Sequence, residues 1–231
     1  MTASIYHSGK YLEHNPDWHA EDAPFKARWI EAILKRNNVA IASVVEVGCG
    51  SGEVLVELRK FLPDAVMQGY DISPQAFAIA KDKAAPGLTF HDADFLTAPG
   101  PAPDLLMAID VFEHVDDYMG FLRGLNARAQ WKVFHIPLDL SVQGLLRGSP
   151  LLYSRAVVGH LHYFFKDTAL AVLKDCGYEI VDWNYTHGAE ELPNRGLRTR
   201  LFNLPRRLLR AVNEDLAVRV MGGASLMVLA R

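Results

Sequence analysis

The sequence predicts an α/β fold: a mostly parallel sheet of seven strands with helices on both faces. Three observations predict it. Short apolar runs alternate with segments of helical spacing, the order that builds parallel strands joined by crossover helices. The run at 43–47 breaks into three glycines on alternate positions, Gly48, Gly50 and Gly52, and the spacing then turns helical. The next run, 65–73, ends in a carboxylate, Asp71, nineteen residues after Gly52.

Each element follows from its own residues. Residues 1–23 are polar and irregular, with Tyr6, Tyr11, Trp18 and three histidines. A helix is expected over 24–37, with Pro24 in its first turn and Phe25, Trp29, Ile30 and Ile33 as an apolar stripe. After the glycines, Val54, Leu55, Leu58, Phe61 and Leu62 share a helical face. Pro74 opens a third helix, with Phe77, Ile79 and Ala80 facing inward, and Pro86-Gly87 closes it. Residues 88–95 form a third strand, and 99–103 are a Pro/Gly link. The fourth strand is 104–110, and Asp116 or Asp117 caps a helix over 118–128. Residues 131–137 are the fifth strand. Residues 167–175 are a helix stopped at Gly177, and 178–183 and 224–229 are the closing strands. Two insertions, 138–166 and 188–222, lie outside this alternation.

Composition narrows the function classes. The chain has 231 residues, half of them hydrophobic, enough for one domain over 1–231. Its net charge of −3 gives no basic surplus for nucleic acid. The start lacks an apolar leader and no apolar run reaches the ~18 residues a membrane span needs. Cys49 and Cys176 make neither a disulfide framework nor a zinc pattern, so a cytoplasmic setting is expected. Nothing in the sequence sets the oligomeric state.

Strand, glycine turn and helix bring backbone N–H groups close to a ligand, and a carboxylate at the next strand end can accept both hydroxyls of a ribose. The spacing G-x-G-x-G differs from the G-x-G-x-x-G of dinucleotide folds. With Glu46 to Gly52 matching E/D-x-G-x-G-x-G and Gly69 to Ser73 matching G-x-D-x-S, the chain resembles the class I S-adenosylmethionine-dependent methyltransferases. Asp110 to Val115 resembles the D-V-x-E-H-V motif of their small-molecule members. The resemblance covers most of 25–187 and implies a Rossmann-like sheet whose last strand is antiparallel. It implies S-adenosylmethionine as cofactor, with 41–137 as its core. Glu46, Gly48, Cys49, Gly50 and Gly52 would face the methionine end and the turn. Asp71 would hold the ribose with Ile72 beside it, Asp94 with Phe95 the adenine (Asp92 in the competing register), and Asp110 the methionine side. It also implies an N-terminal lid over 1–40 that includes Tyr11, Trp18 and His19, with the two insertions completing the lid and acceptor region.

Methyl transfer from a sulfonium needs alignment and a dry site more than activation, and a hydroxyl or amine acceptor gains from a base. His114, after the fourth strand, is the first candidate; the alternative is that Glu113 and His114 only shape the loop. His160 and His162 alternate in an expected extended segment and so face one way, toward an acceptor, with Tyr163 facing the other. His135 reads as a core histidine. The expected acceptor is a small molecule methylated on oxygen or nitrogen. A metal is not expected. The alternative is Asp110, Glu113 and His114 holding a cation for a phenolic or lipid acceptor, as in a metal-dependent branch that carries Glu at the position of Asp110. The basic amphipathic segment 204–210 is read as a surface helix with arginines over a packed apolar face rather than a membrane contact. Two other classes stay open: a nicotinamide-dependent reductase and a non-catalytic nucleoside-binding protein.

Overall fold

The computed structural model describes residues 18, 20–192 and 197–231. The strands are β1 (Ser43–Val47), β2 (Val66–Asp71), β3 (Leu88–Asp92), β4 (Leu105–Ile109), β5 (Trp131–Pro137), β6 (Ile180–Thr186) and β7 (Ser225–Ala230). They form one sheet in the order β3-β2-β1-β4-β5-β7-β6. The pairs among β1 to β5 are parallel, and β7 runs antiparallel between β5 and β6. The order reverses beside β1, between its neighbours β2 and β4. That switch opens a crevice at the carboxyl ends of the strands, where ligands bind in such sheets.

The strands are apolar on both sides because both faces are covered. Val45, Leu106, Phe134 and Val228 point to one face, against Leu122 and Leu125 of α4 (Tyr118–Asn126) and Leu173 of α7 (Lys166–Asp175). Their neighbours Val44, Leu105, Val133 and Leu229 point to the other, against Ile30 and Ile33 of α1 (Ala23–Arg36) and Leu55 and Leu58 of α2 (Glu53–Leu58). Each such side chain, buried from water, contributes about 1.5–3 kcal/mol. α3 (Pro74–Ala80) starts at Ser73, whose hydroxyl accepts from the Ala76 N–H, and Asp117 caps α4 through the Gly120 N–H.

The first insertion forms α5 (Val142–Arg147) and α6 (Ser149–Tyr153), then a π-helical turn, Ser154–Val158. The second forms α8 (Gly188–Glu191), α9 (Leu197–Val212) and α10 (Glu214–Met221). Here the structure corrects the expected packing of 204–210. Leu204, Leu208 and Val212, four residues apart on α9, are exposed, Val212 at 85%. The arginines make polar contacts instead: the exposed Arg207 and the partly buried Arg210 pair with Glu190, and Arg206 reaches the Met221 carbonyl.

Candidate active site

The carboxyl ends of β1, β2, β4 and β5 open into a cavity of about 700 Å³. Its floor is the glycine turn. Gly48, Gly50 and Gly52 all take positive φ, +71°, +53° and +80°. The reason differs along the turn. A Cβ on Gly48 would strike Val111 and one on Gly52 would strike Phe90. Gly48 and Gly50 both line the cavity, and of the two only Gly50 has space for a Cβ, which would come 3.4 Å from the Trp18 ring. Two of the three glycines therefore serve packing between protein groups, and one leaves room for a ligand. Cys49 is buried because its Sγ sits against Gly69.

Asp71 reaches back under this turn. One oxygen accepts from the Gly50 N–H and the other from the Ser73 N–H, each at 2.8 Å. A carboxylate has about four lone-pair sites, so it keeps acceptor capacity toward the cavity. Ile72 follows on the wall, half exposed.

Asp110 anchors the opposite side. It ends β4 in a left-handed conformation, φ +56°, which a short polar side chain tolerates better than most. Lys26 Nζ of α1 lies 2.7 Å from one of its oxygens, and His135 Nδ1 of β5 lies 2.5 Å from the other. His135 Nε2 meets the Thr186 hydroxyl of β6 at 2.9 Å. Burial pushes the Asp110 carboxyl up, but His135 and Lys26 outweigh it and hold the group well below the usual carboxylate range. Asp110 is thus a fixed anion tied to three elements. Glu46 of β1 differs. It is buried, its Oε2 has no hydrogen-bond partner among the described residues, and burial raises it to about 8 against the pull of Lys26.

The third part of the wall holds imidazoles. His114 closes a 3-10 turn, Phe112–His114, and His160 comes from the first insertion. Their rings lie 4.9 Å apart. His114 Nδ1 meets the Gly159 carbonyl at 3.1 Å, and His160 Nδ1 meets Asp139 at 2.5 Å. A carbonyl or carboxylate oxygen only accepts, so both Nδ1 atoms carry a proton, and in the neutral imidazole the lone pair then lies on Nε2. Burial, then the neighbouring His160, lowers His114 to about 4. Glu113 lies behind the pair, fully buried.

Several expected residues fall elsewhere. His162 does not share the wall with His160. Gly159 takes φ +89° and 159–165 is irregular, so the strand alternation that would align the rings is absent. His162 packs on Tyr118 and meets the Val115 carbonyl. Tyr163 donates to the Leu151 carbonyl, away from the cavity. Phe95 is in the core, under Arg128 and edge-on to Tyr70, and Asp94 is exposed with its carboxylate on the Leu96 N–H. Neither lines the cavity. Asp110 does not join Glu113 and His114 as a cation triad: the group that converges on them is His160, and Lys26 already neutralises Asp110. Trp18 lines the cavity; Tyr11 and His19 lie outside the described residues. Sequence reasoning missed Lys26, Asp139 and Thr186, and gave His135 to the core. Lys26, a lysine between Phe25 and Ala27 on a core-facing stripe, was the one local signal.

The sequence profile of a family described as a methyltransferase domain matches residues 11–182. A trans-aconitate 2-methyltransferase of Mycobacterium sp. (strain KMS) is 27% identical over 188 residues, covering 75% of this chain and 72% of that protein. One of Methylobacterium nodulans is 37% identical over 112 residues, 46% of this chain, and the match spans under half of that relative's length, 43%. Among solved structures, a putative methyltransferase in complex with the Trm112 activator of Haloferax volcanii matches with TM-score 0.63 and 17% identity. It covers 96% of this chain and 94% of that one. Magnesium protoporphyrin IX methyltransferase of Synechocystis PCC 6803, solved with bound S-adenosylhomocysteine, matches with TM-score 0.60 and 16% identity, covering 90% and 82%. These two likenesses are of fold.

Proposed function

The chain belongs to the methyltransferase domain family, as a class I S-adenosylmethionine-dependent member, and from that premise we propose that it methylates an oxygen or nitrogen of a small-molecule acceptor. The observation that carries the reading is one cavity walled by a cofactor side and an imidazole side.

The residues fit the cofactor. Glu46 presents a buried carboxyl oxygen with no donor among the described residues, and the ammonium of a methionine moiety would satisfy it and favour its ionised form. The fixed Asp110 anion adds to that pull. Asp71 keeps lone pairs for ribose hydroxyls, and Gly50 lets the ligand approach the backbone. Ile72 and Val111 supply apolar wall for a base. When bound, S-adenosylmethionine supplies an electrophilic methyl whose departure leaves a neutral thioether.

The chain's own part is to align and deprotonate. His160, held by Asp139, keeps the orientation and tautomer of a base, with its Nε2 lone pair available to an acceptor proton. His114, lowered to about 4, is neutral at pH 7 and offers a second lone pair. Trp18 and Val158 add apolar wall to the cavity, which disfavours water there.

Charge limits the acceptor. Eight aspartates and glutamates line the cavity against one lysine, and that lysine is paired with Asp110. Trans-aconitate, named for the relatives, is a tricarboxylate and meets no unpaired lysine or arginine among these wall residues. The acceptor proposed here is neutral or cationic at its reacting end. The test is transfer of labelled methyl from S-adenosylmethionine to a panel of phenols, alcohols, amines and polycarboxylates. Labelling confined to polycarboxylates would overturn the acceptor class.

A further inference from the structure

A buried carboxylate with no partner is costly, and one stands beside this cavity. Both Glu113 oxygens are buried and neither has a hydrogen-bond partner among the described residues. A carboxylate removed from water needs a proton, a donor or a cation. Its nearest imidazole atom, His114 Nε2, lies 3.8 Å away, too far for a hydrogen bond. In the neutral imidazoles, that Nε2 and the Nε2 of His160 carry the lone pairs, since each Nδ1–H is donated to its oxygen partner. A buried carboxyl group and two imidazoles thus converge.

We propose that Glu113, His114 and His160 form a divalent-cation site at the acceptor end of the cavity. One ligand atom from each lies within 4.8 Å of the others. Ligands about 2.0–2.2 Å from a metal sit roughly 3–4 Å apart, so modest side-chain rotation closes the set. Two imidazoles and one carboxylate favour a borderline cation such as Zn²⁺ or Co²⁺ over Mg²⁺, which prefers oxygen. The outer shell is already built. Asp139 holds His160 and the Gly159 carbonyl holds His114, each through the nitrogen away from the metal. Asp110 is not a ligand, because Lys26 and His135 hold it. Three protein ligands leave positions open toward the cavity.

The site names an acceptor class, and here the inference rests on the function proposed above. A cation there counters the acidic wall and takes a phenol or enol oxygen, lowering its pKa. With the cation bound, the Nε2 atoms of His114 and His160 serve it rather than the acceptor proton, and that proton passes to solvent base. The oxygen lone pair then forms the O–CH₃ bond as the C–S bonding pair passes to sulfur, leaving a neutral thioether.

The test is optical titration of the S-adenosylhomocysteine-loaded protein with Co²⁺ alone. The expected result is one equivalent bound, with visible d–d bands. Glu113→Gln and His160→Ala each weaken binding by roughly 100-fold and Asp139→Asn by about 10-fold, with S-adenosylhomocysteine affinity unchanged. Absent bands, or bands equal in Glu113→Gln, would overturn the site. Should a variant fail to fold, pulsed EPR of the Cu²⁺-loaded wild type decides: coupling to two imidazole nitrogens supports the site, and one or none overturns it. Wild type that binds S-adenosylhomocysteine but not Co²⁺ sinks this inference alone. Failure to bind S-adenosylhomocysteine sinks the function proposed above, while the Co²⁺ result still judges the cation site.

Discussion

Replacing Gly52 by alanine separates packing from ligand approach in the glycine turn. Gly52 precedes α2 with φ +80°, and a Cβ there would lie 2.5 Å from Phe90 Cε1 and 2.7 Å from Cζ. Phe90 cannot retreat freely, because Gly69 on its other contact leaves only 2.7 Å for a Cβ. An L residue in the left-handed region costs about 1–2 kcal/mol and an overpacked core about 1–3, so Gly52→Ala should destabilise by roughly 2–5 kcal/mol. At about 2–4 °C per kcal/mol in a chain of this size, the thermal midpoint should fall on the order of 10 °C. Calorimetry or urea unfolding reads this directly. Adding Phe90→Leu should return part of the steric cost and none of the backbone cost, giving a coupling of about 1 kcal/mol in a double-mutant cycle. Wild-type stability in Gly52→Ala, or zero coupling to Phe90, would refute the assignment of this glycine to the core.

Gly50→Ala should do the reverse, with a smaller midpoint shift and roughly 10-fold weaker S-adenosylhomocysteine binding, about 1.4 kcal/mol, in a calorimetric titration. Lys26→Met leaves Asp110 with His135 alone. Breaking a fully buried pair costs about 3–5 kcal/mol, and the partial exposure here brings the expected loss to roughly 2–4, measurable by urea unfolding. Glu46 has a folded pKa raised to about 8, so the native state holds a proton that the unfolded chain releases near 4.5. Its stabilising contribution is full below that unfolded value and is lost as pH rises toward 8. Glu46→Gln should therefore flatten the fall in stability between pH 5 and pH 8, and an unchanged slope would count against a neutral Glu46. His114 has the opposite sign. Its folded pKa of about 4 makes stability fall as pH drops from about 6.5 toward 4, and His114→Asn should lessen that loss in the same unfolding assay.

The sheet was legible because its strands are apolar runs of strand length between helical segments, and β5 is found at the residues its spacing predicts, Trp131–Pro137. The antiparallel β7 came from the family resemblance, since its six residues read the same in either direction. The Asp71 side of the cavity was legible because the glycine turn and the carboxylate are local motifs. The Asp110 network was not. Lys26, Asp110, His135 and Thr186 come from four elements, and no spacing joins them. The histidine of the pair that reaches the wall depends on Gly159 breaking the strand alternation, which a period of two cannot anticipate. Phe95 is ambiguous in sequence for a similar reason: an aromatic after a strand fits a ligand or a core equally, and the structure buries it under Arg128 from beyond α4.

The account's central claim is that the crevice beside β1 binds an S-adenosyl cofactor through Asp71. Calorimetric titration of wild type and Asp71→Ala with S-adenosylhomocysteine, and separately with NADH, tests it most directly. The account predicts saturable binding of S-adenosylhomocysteine to wild type, its loss in Asp71→Ala at retained fold, and no heat from NADH. Binding of NADH alone, or equal binding of S-adenosylhomocysteine by both proteins, would contradict it.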